Sequence, residues 1–117
     1  MYVVVWEFRV RSGAEEKFVA GYGSSGSWAQ LFRRAEQYIG TELARNVEDV
    51  QIFYTLDRWR SEADYAAFRR DFRQAHEALD KSFEGLTEHE RLIGKMSLDE
   101  ALELKQRGEE EYGEGEI

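Results

Sequence analysis

The sequence predicts an α+β fold, a ferredoxin-like β-α-β-β-α-β arrangement built on one antiparallel sheet. Three observations lead there. Four short runs carry apolar residues at about every second position, two regions between them show the three-to-four spacing of helices, and Gly, Asn and Ser punctuate the junctions. At 117 residues and 42% hydrophobic content, the chain suffices for one buried core and is too short for two. Residues 1–97 are therefore expected to form one domain, and 98–117 a short C-terminal helix with an acidic tail.

The first run, YVVVWEFRV, places Tyr2, Val4, Trp6, Phe8 and Val10 on one strand face, with Val3 and Val5 on the other before it turns polar at Glu7 and Arg9. A turn at Ser12-Gly13 precedes a short helical pattern through Glu15, Phe18, Val19 and Tyr22. Ser27-Trp28-Ala29-Gln30 has the S-x-x-Q form of a capping box, in which serine and glutamine side chains satisfy free backbone donors of a new helix. That helix carries Trp28, Leu31 and Phe32 on one stripe. A second strand, YIGTELARN, is weakened by its charges. A third, VQIFYTLDRW, sets Val50, Ile52, Tyr54 and Leu56 against Phe53, Thr55 and Trp59. Ser61-Glu62-Ala63-Asp64 is a second capping box, opening one long helix from about Glu62 to Leu79 or beyond. On it Tyr65, Phe68, Phe72, Leu79 and Phe83 line up as one stripe at about 100° per residue. RLIGKM supplies the fourth strand.

In this topology all the helices cover one sheet face. The apolar residues on the other face of strands one and three would meet water unless a second copy covered them, so the patterning predicts a homodimer packed sheet to sheet.

Composition excludes several functions. With no cysteine there are no disulfides, thiol nucleophiles or cysteine metal sites. His76 and His89 stand alone with no second ligand at helical spacing, so no metal site is expected. The longest apolar run, YVVVW, is far short of the roughly 18 residues a membrane span needs. No membrane association and a cytoplasmic location are expected. The net charge of −8 is concentrated in residues 99–117, where eight acids face Lys105 and Arg107; that balance of −6 leaves −2 for the other 98 residues. No clustered Lys/Arg surface exists to neutralise phosphates, which argues against nucleic acid.

Gly21-Tyr22-Gly23-Ser24-Ser25-Gly26 matches G-x-G-x-x-G literally. That fingerprint has meaning only between a buried strand and a helix that receives the pyrophosphate at its N-terminus. Here the glycines follow a helix, so they are read as a helix-glycine-loop-helix connection bordering a pocket.

The stretch TELARNVEDVQIFYTLDRWRSEADYAAF carries a T-E-L strand, a strand ending in Asp-x-Trp (Asp57, Trp59) and a Ser-x-x-x-Tyr helix start (Ser61, Tyr65), and LTEHERLIG closes the pattern. With these features residues 2 to 96 resemble the antibiotic biosynthesis monooxygenase family of the dimeric α/β-barrel superfamily. The resemblance implies a small-molecule pocket between helices and sheet in each subunit. It also implies that an aromatic or enolisable substrate is deprotonated there and its anion reacts with oxygen without metal or flavin, the protein supplying a base and a dry cavity. No cofactor is then required. Three Trp, six Tyr and seven Phe are ample material for its walls.

His76 lies within about 20° of the Tyr65 direction on the helical wheel and points into the apolar stripe, where an imidazole can act as a base near neutral pH or bind iron. His76 and Tyr65 are the candidate catalytic residues, the latter as a hydrogen-bond donor to a substrate carbonyl. Trp6, Trp59, Phe68, Phe72, Tyr22 and Trp28 are the candidate substrate-binding residues; for each the alternative is ordinary packing. Arg69, Arg70 and Arg73 are expected to face mostly outward. FRQAH, Phe72 to His76, resembles the helix of the haem-degrading branch of this superfamily, in which a histidine so placed is the proximal iron ligand. That branch has an asparagine where this chain has about Trp6, and a tryptophan where Phe68 stands. Haem degradation through His76 is the alternative function, and a non-catalytic ligand-binding domain a third.

Overall fold

The computed structural model describes residues 1–98. Chain order is β1 (Tyr2–Val10), α1 (Glu15–Tyr22), α2 (Ser27–Phe32), β2 (Tyr38–Arg45), β3 (Ile52–Trp59), α3 (Glu62–Asp71), α4 (Arg73–Ser82) and β4 (Thr87–Ser97). The four strands form one antiparallel sheet in the order β2-β3-β1-β4, the ferredoxin-like arrangement read from the sequence. The expected C-terminal helix and tail lie outside the described residues from 99 onward.

Strand alternation sets the core. Tyr2, Val4, Phe8 and Val10 of β1 and Phe53 and Trp59 of β3 face the helices and are buried with Phe18, Tyr22, Trp28, Leu31, Phe32 and Phe68. The opposite face bears Val3, Val5 and Leu56, and across β1 from Val3 stands Met96 of β4. Two register shifts interrupt the pairing of β4: Val5 pairs with Gly94 and Trp6 with Leu92, and Arg9 pairs with His89 and Val10 with Thr87, so Ile93 and Glu88 are the extra residues. β4 begins at Thr87, four residues before the expected Arg91, because Gly85 takes a positive φ of 90° and turns the chain back onto β1 earlier.

Two helix expectations need correction. Ser27 does not cap α2; Gly26 is the cap residue and makes no side-chain bond, while the Gln30 Nε2 donates to the Ser25 carbonyl at 3.1 Å. Gly26 holds this position because its backbone is pressed against α1: a Cβ there would lie 2.6 Å from the Ala20 oxygen and 2.8 Å from the Gly21 carbonyl. The glycine fingerprint is thus a packing device. The long helix is also two helices, separated at Phe72, whose φ of −114° and ψ of 27° leave the helical region. The supporting surface changes there, for α3 packs on β3 whereas α4 packs on α2. At the start of α3 the cap forms as expected: Ser61 Oγ accepts the Asp64 N–H at 3.1 Å and donates to Asp64 Oδ2 at 2.7 Å.

Candidate active site

The helices do not seal the sheet. Above it lies a cavity of about 350 Å³, within the range of small-molecule sites. Its floor takes side chains from every strand: Thr41 of β2 opposite Asp57 of β3, Thr55 of β3 opposite Trp6 of β1, and Phe8 of β1 opposite Glu90 of β4. With strands about 4.8 Å apart, the floor runs diagonally across three inter-strand steps, roughly 14 Å of sheet width. Tyr22, Trp28 and Phe32 form one side; Tyr65 and Arg69 of α3 and His76 and Asp80 of α4 form the roof. Trp6 is only half-buried in an otherwise buried row because this space lies above it.

Five of the eight residues singled out from the sequence line this cavity: His76, Tyr65, Trp6, Tyr22 and Trp28. Trp59, Phe68 and Phe72 do not. Trp59 is 0% exposed and packed among Phe32, Tyr38, Tyr65 and Phe68. Phe68 is likewise buried, stacked on Phe72 with centroids 5.1 Å apart. The stripe faces the core, but Phe68 packs on Trp59 of β3 and Phe72 on Phe68, and of its members only Tyr65 overlooks the gap. Arg69, expected to point outward, lines the roof: its Nη1 donates to the Tyr65 hydroxyl at 3.1 Å and its guanidinium lies 5.9 Å from the Tyr65 ring centre. His89 is on the opposite face of β4, paired with Arg9.

The His76 imidazole is half-buried, and neither ring nitrogen has a hydrogen-bond partner among the described residues. Burial and, second, the charge of Arg69 hold its pKa below the ordinary value, against the opposite pull of Asp80 and Glu77. It is therefore neutral at pH 7. Burial raises the Tyr22 phenol well above its usual range. The Trp28 indole N–H is turned toward that hydroxyl without meeting hydrogen-bond geometry, leaving a buried, unpaired donor in the wall.

The group that sequence reasoning missed is Asp57. Enclosure raises its pKa from 3.8 to about 6, with the Thr41 hydrogen bond acting in the opposite sense. Thr41 Oγ1 donates to Asp57 Oδ1 at 2.7 Å and lies 2.5 Å from the Tyr38 hydroxyl. Among the described residues no cation approaches it within ion-pair distance, whereas Asp49 and Asp64 each pair with an arginine. The signal was present: Asp57 has the strand parity of Phe53, Thr55 and Trp59, all inward. Thr41 had none, because the irregular pairing between Tyr38 and Gly40 breaks the alternation before it. Among the described residues no group of three or more His, Asp or Glu is placed to hold a metal ion. No helix there is long and apolar enough to cross a membrane.

A family model described as antibiotic biosynthesis monooxygenase matches residues 1–78. No curated protein matches the chain in sequence. Solved structures agree in fold. SnoaB, a cofactor-independent oxygenase from Streptomyces nogalater, superposes with a TM-score of 0.65 at 13% identity, covering 86% of this chain and 95% of that one. Rv0793 from Mycobacterium tuberculosis gives 0.62 at 16% identity over 86% and 97% of the two chains. MhuD, solved with two manganese protoporphyrin IX per active site, gives 0.61 at 17% identity over 84% and 94%.

Proposed function

The chain belongs to the antibiotic biosynthesis monooxygenase family, and from that premise we propose that it is a cytoplasmic, cofactor-independent oxygenase acting as a homodimer on an uncharged aromatic or enolisable substrate. The observation that carries this reading is a single cavity wall joining the rings of Trp6, Phe8, Tyr22, Trp28 and Phe32 to two weak bases, Asp57 and His76. Flat rings stack on such a wall. A base there can ionise a carbon or phenolic acid, and the resulting anion is electron-rich enough to react with O2 itself. The reaction balances without a cofactor: an activated CH2 and one O2 become a carbonyl and one water. The unpaired Trp28 N–H and the Tyr65 hydroxyl are donors for the charge that develops on oxygen.

Charge in the lining supports an uncharged substrate. Asp57, Asp80 and Glu90 face the cavity with Arg69 as the one cation, which disfavours a ligand arriving as an anion. The same balance speaks against the haem alternative, since porphyrin propionates would meet three carboxylates, and the Trp28 ring already stands against the His76 imidazole, centroids 4.9 Å apart. These residues do not fit a haem ligated by His76.

Homodimerisation is supported by the sheet face away from the helices, where Val5 and Leu56 lie side by side half-buried and Met96 is exposed, although Val3 beside Met96 is already buried within the chain. The test of function is oxygen uptake and carbonyl product with anthrones, naphthols and 1,3-diketones. Acceleration over the uncatalysed rate is expected for at least one class; none with any of them would overturn the reading.

A further inference from the structure

We propose that Asp57 is the residue that takes the proton from the substrate, and that Thr41 and Tyr38 hold its carboxylate in place. The proposal rests on the oxygenase reading above and names its base.

Asp57 and Thr41 are directly opposed on β3 and β2, so their side chains share the cavity floor. Thr41 commits its one hydroxyl proton to Asp57 Oδ1, and Tyr38 must therefore be the donor in its own contact with Thr41 Oγ1. The chain of O–H groups runs from Tyr38 through Thr41 to the carboxylate and fixes one oxygen. The other oxygen, Oδ2, has no partner among the described residues. A carboxylate kept only as a strand-to-strand hydrogen-bond acceptor could be an asparagine at no desolvation penalty; a largely buried carboxylate with no cation paired to it among the described residues is costly unless its basicity is used. Its raised pKa, set by burial against the Thr41 hydrogen bond, leaves it ionised at neutral pH yet a better base than an exposed aspartate.

His76 is the less suitable acceptor. No hydrogen bond orients its ring, and Arg69 opposes the positive charge it would acquire. The titratable or charged groups facing the same space are Tyr22 on α1, Tyr65 and Arg69 on α3, His76 and Asp80 on α4, Glu90 on β4 and, behind Thr41, Tyr38 on β2.

The substrate C–H or O–H bond breaks, its proton goes to Asp57 Oδ2 and its electron pair stays on the substrate. The anion passes one electron to O2, and the two radicals combine at carbon to give a peroxide anion. That anion regains a proton from Asp57; loss of the second C–H proton with O–O cleavage then gives the carbonyl and water.

The test uses 1,8-dihydroxyanthrone with the full chain. Binding is followed by tryptophan fluorescence, formation of the coloured anthrone anion is followed without oxygen, and oxygen uptake is followed under air, each against pH. In the unaltered protein the anion is expected to appear with a midpoint near pH 6. Asp57→Asn should bind the anthrone within about twofold but lose at least about a hundredfold in turnover, the scale of a missing general base. Thr41→Val removes a hydrogen bond to the ionised carboxylate, so the midpoint should move to higher pH; His76→Ala alters affinity without moving it. An anion that forms equally well in Asp57→Asn, no anion in the unaltered protein, or a Thr41→Val midpoint that stays in place would overturn the proposal. Anion formation without any oxygen uptake would sink the oxygenase reading and leave the base assignment standing.

Discussion

The imidazole of His76 lies against the indole of Trp28, ring centroids 4.9 Å apart and planes inclined at 60°. Iron cannot approach that side of the imidazole unless the indole swings away. Haemin titration is therefore expected to give no Soret shift that depends on His76; a shift present in the unaltered protein and absent in His76→Ala would restore the haem alternative.

Asp57→Asn should stabilise the fold while abolishing activity. A carboxyl with a pKa of about 6 in the fold and an ordinary value near 3.8 when unfolded binds its proton more tightly in the native state. The stability it contributes is present below about pH 4 and lost as pH rises through 6, amounting to about 3 kcal/mol as an upper figure. Asparagine removes that loss. Thermal unfolding of the two proteins should coincide near pH 3.5 and diverge above pH 6, with the asparagine variant melting higher.

Trp59→Ala tests packing against binding. The indole is 0% exposed and touches four aromatic rings, so truncation should cost about 3–5 kcal/mol, read as a lower urea midpoint. Trp6→Ala, at the half-buried floor of the cavity, should weaken aromatic ligands with a much smaller stability change. The reverse pattern would place the ligand beside Trp59.

Gly26→Ala puts a methyl group against backbone atoms 2.6–2.8 Å away, which cannot turn aside as a side chain can. A loss of roughly 1–3 kcal/mol in stability is expected. Neither the unaltered protein nor the variant should bind NADH or ATP in equilibrium dialysis, since the glycines pack one helix onto another.

Met96 is 42% exposed on the sheet face away from the helices, opposite Val3. Met96→Asp should convert a dimeric mass in light scattering to a monomeric one at micromolar concentration. A monomer before substitution would leave that face without the proposed partner.

The strands were legible because alternation survives charge: Glu7 and Arg9 fall on the outward parity of β1 and leave Phe8 and Val10 to mark the inner face. His76 and Tyr65 were legible for the analogous helical reason. What could not be read was the break at Phe72, a residue with neither glycine nor proline to announce it, because it answers to the change of partner from β3 to α2. Phe68 and Phe72 share a helical stripe with Tyr65, and Trp59 a strand face with Thr55 and Asp57; no periodicity separates a ring that fills space from one that borders it. Asp57 was hidden by its type: a carboxylate on an inward position reads as an exception to the pattern rather than as its centre.

The break at Phe72 has a bearing on adaptability. Tyr65 and Arg69 ride on one leaf of the roof, His76 and Asp80 on another, with a single non-helical residue between them. An unbroken rod would translate all four together, so that widening the entrance for a bulkier guest would also drag the groups above the reacting carbon. Two leaves uncouple those adjustments, so one can re-angle over an unchanged four-stranded floor while the other stays in place.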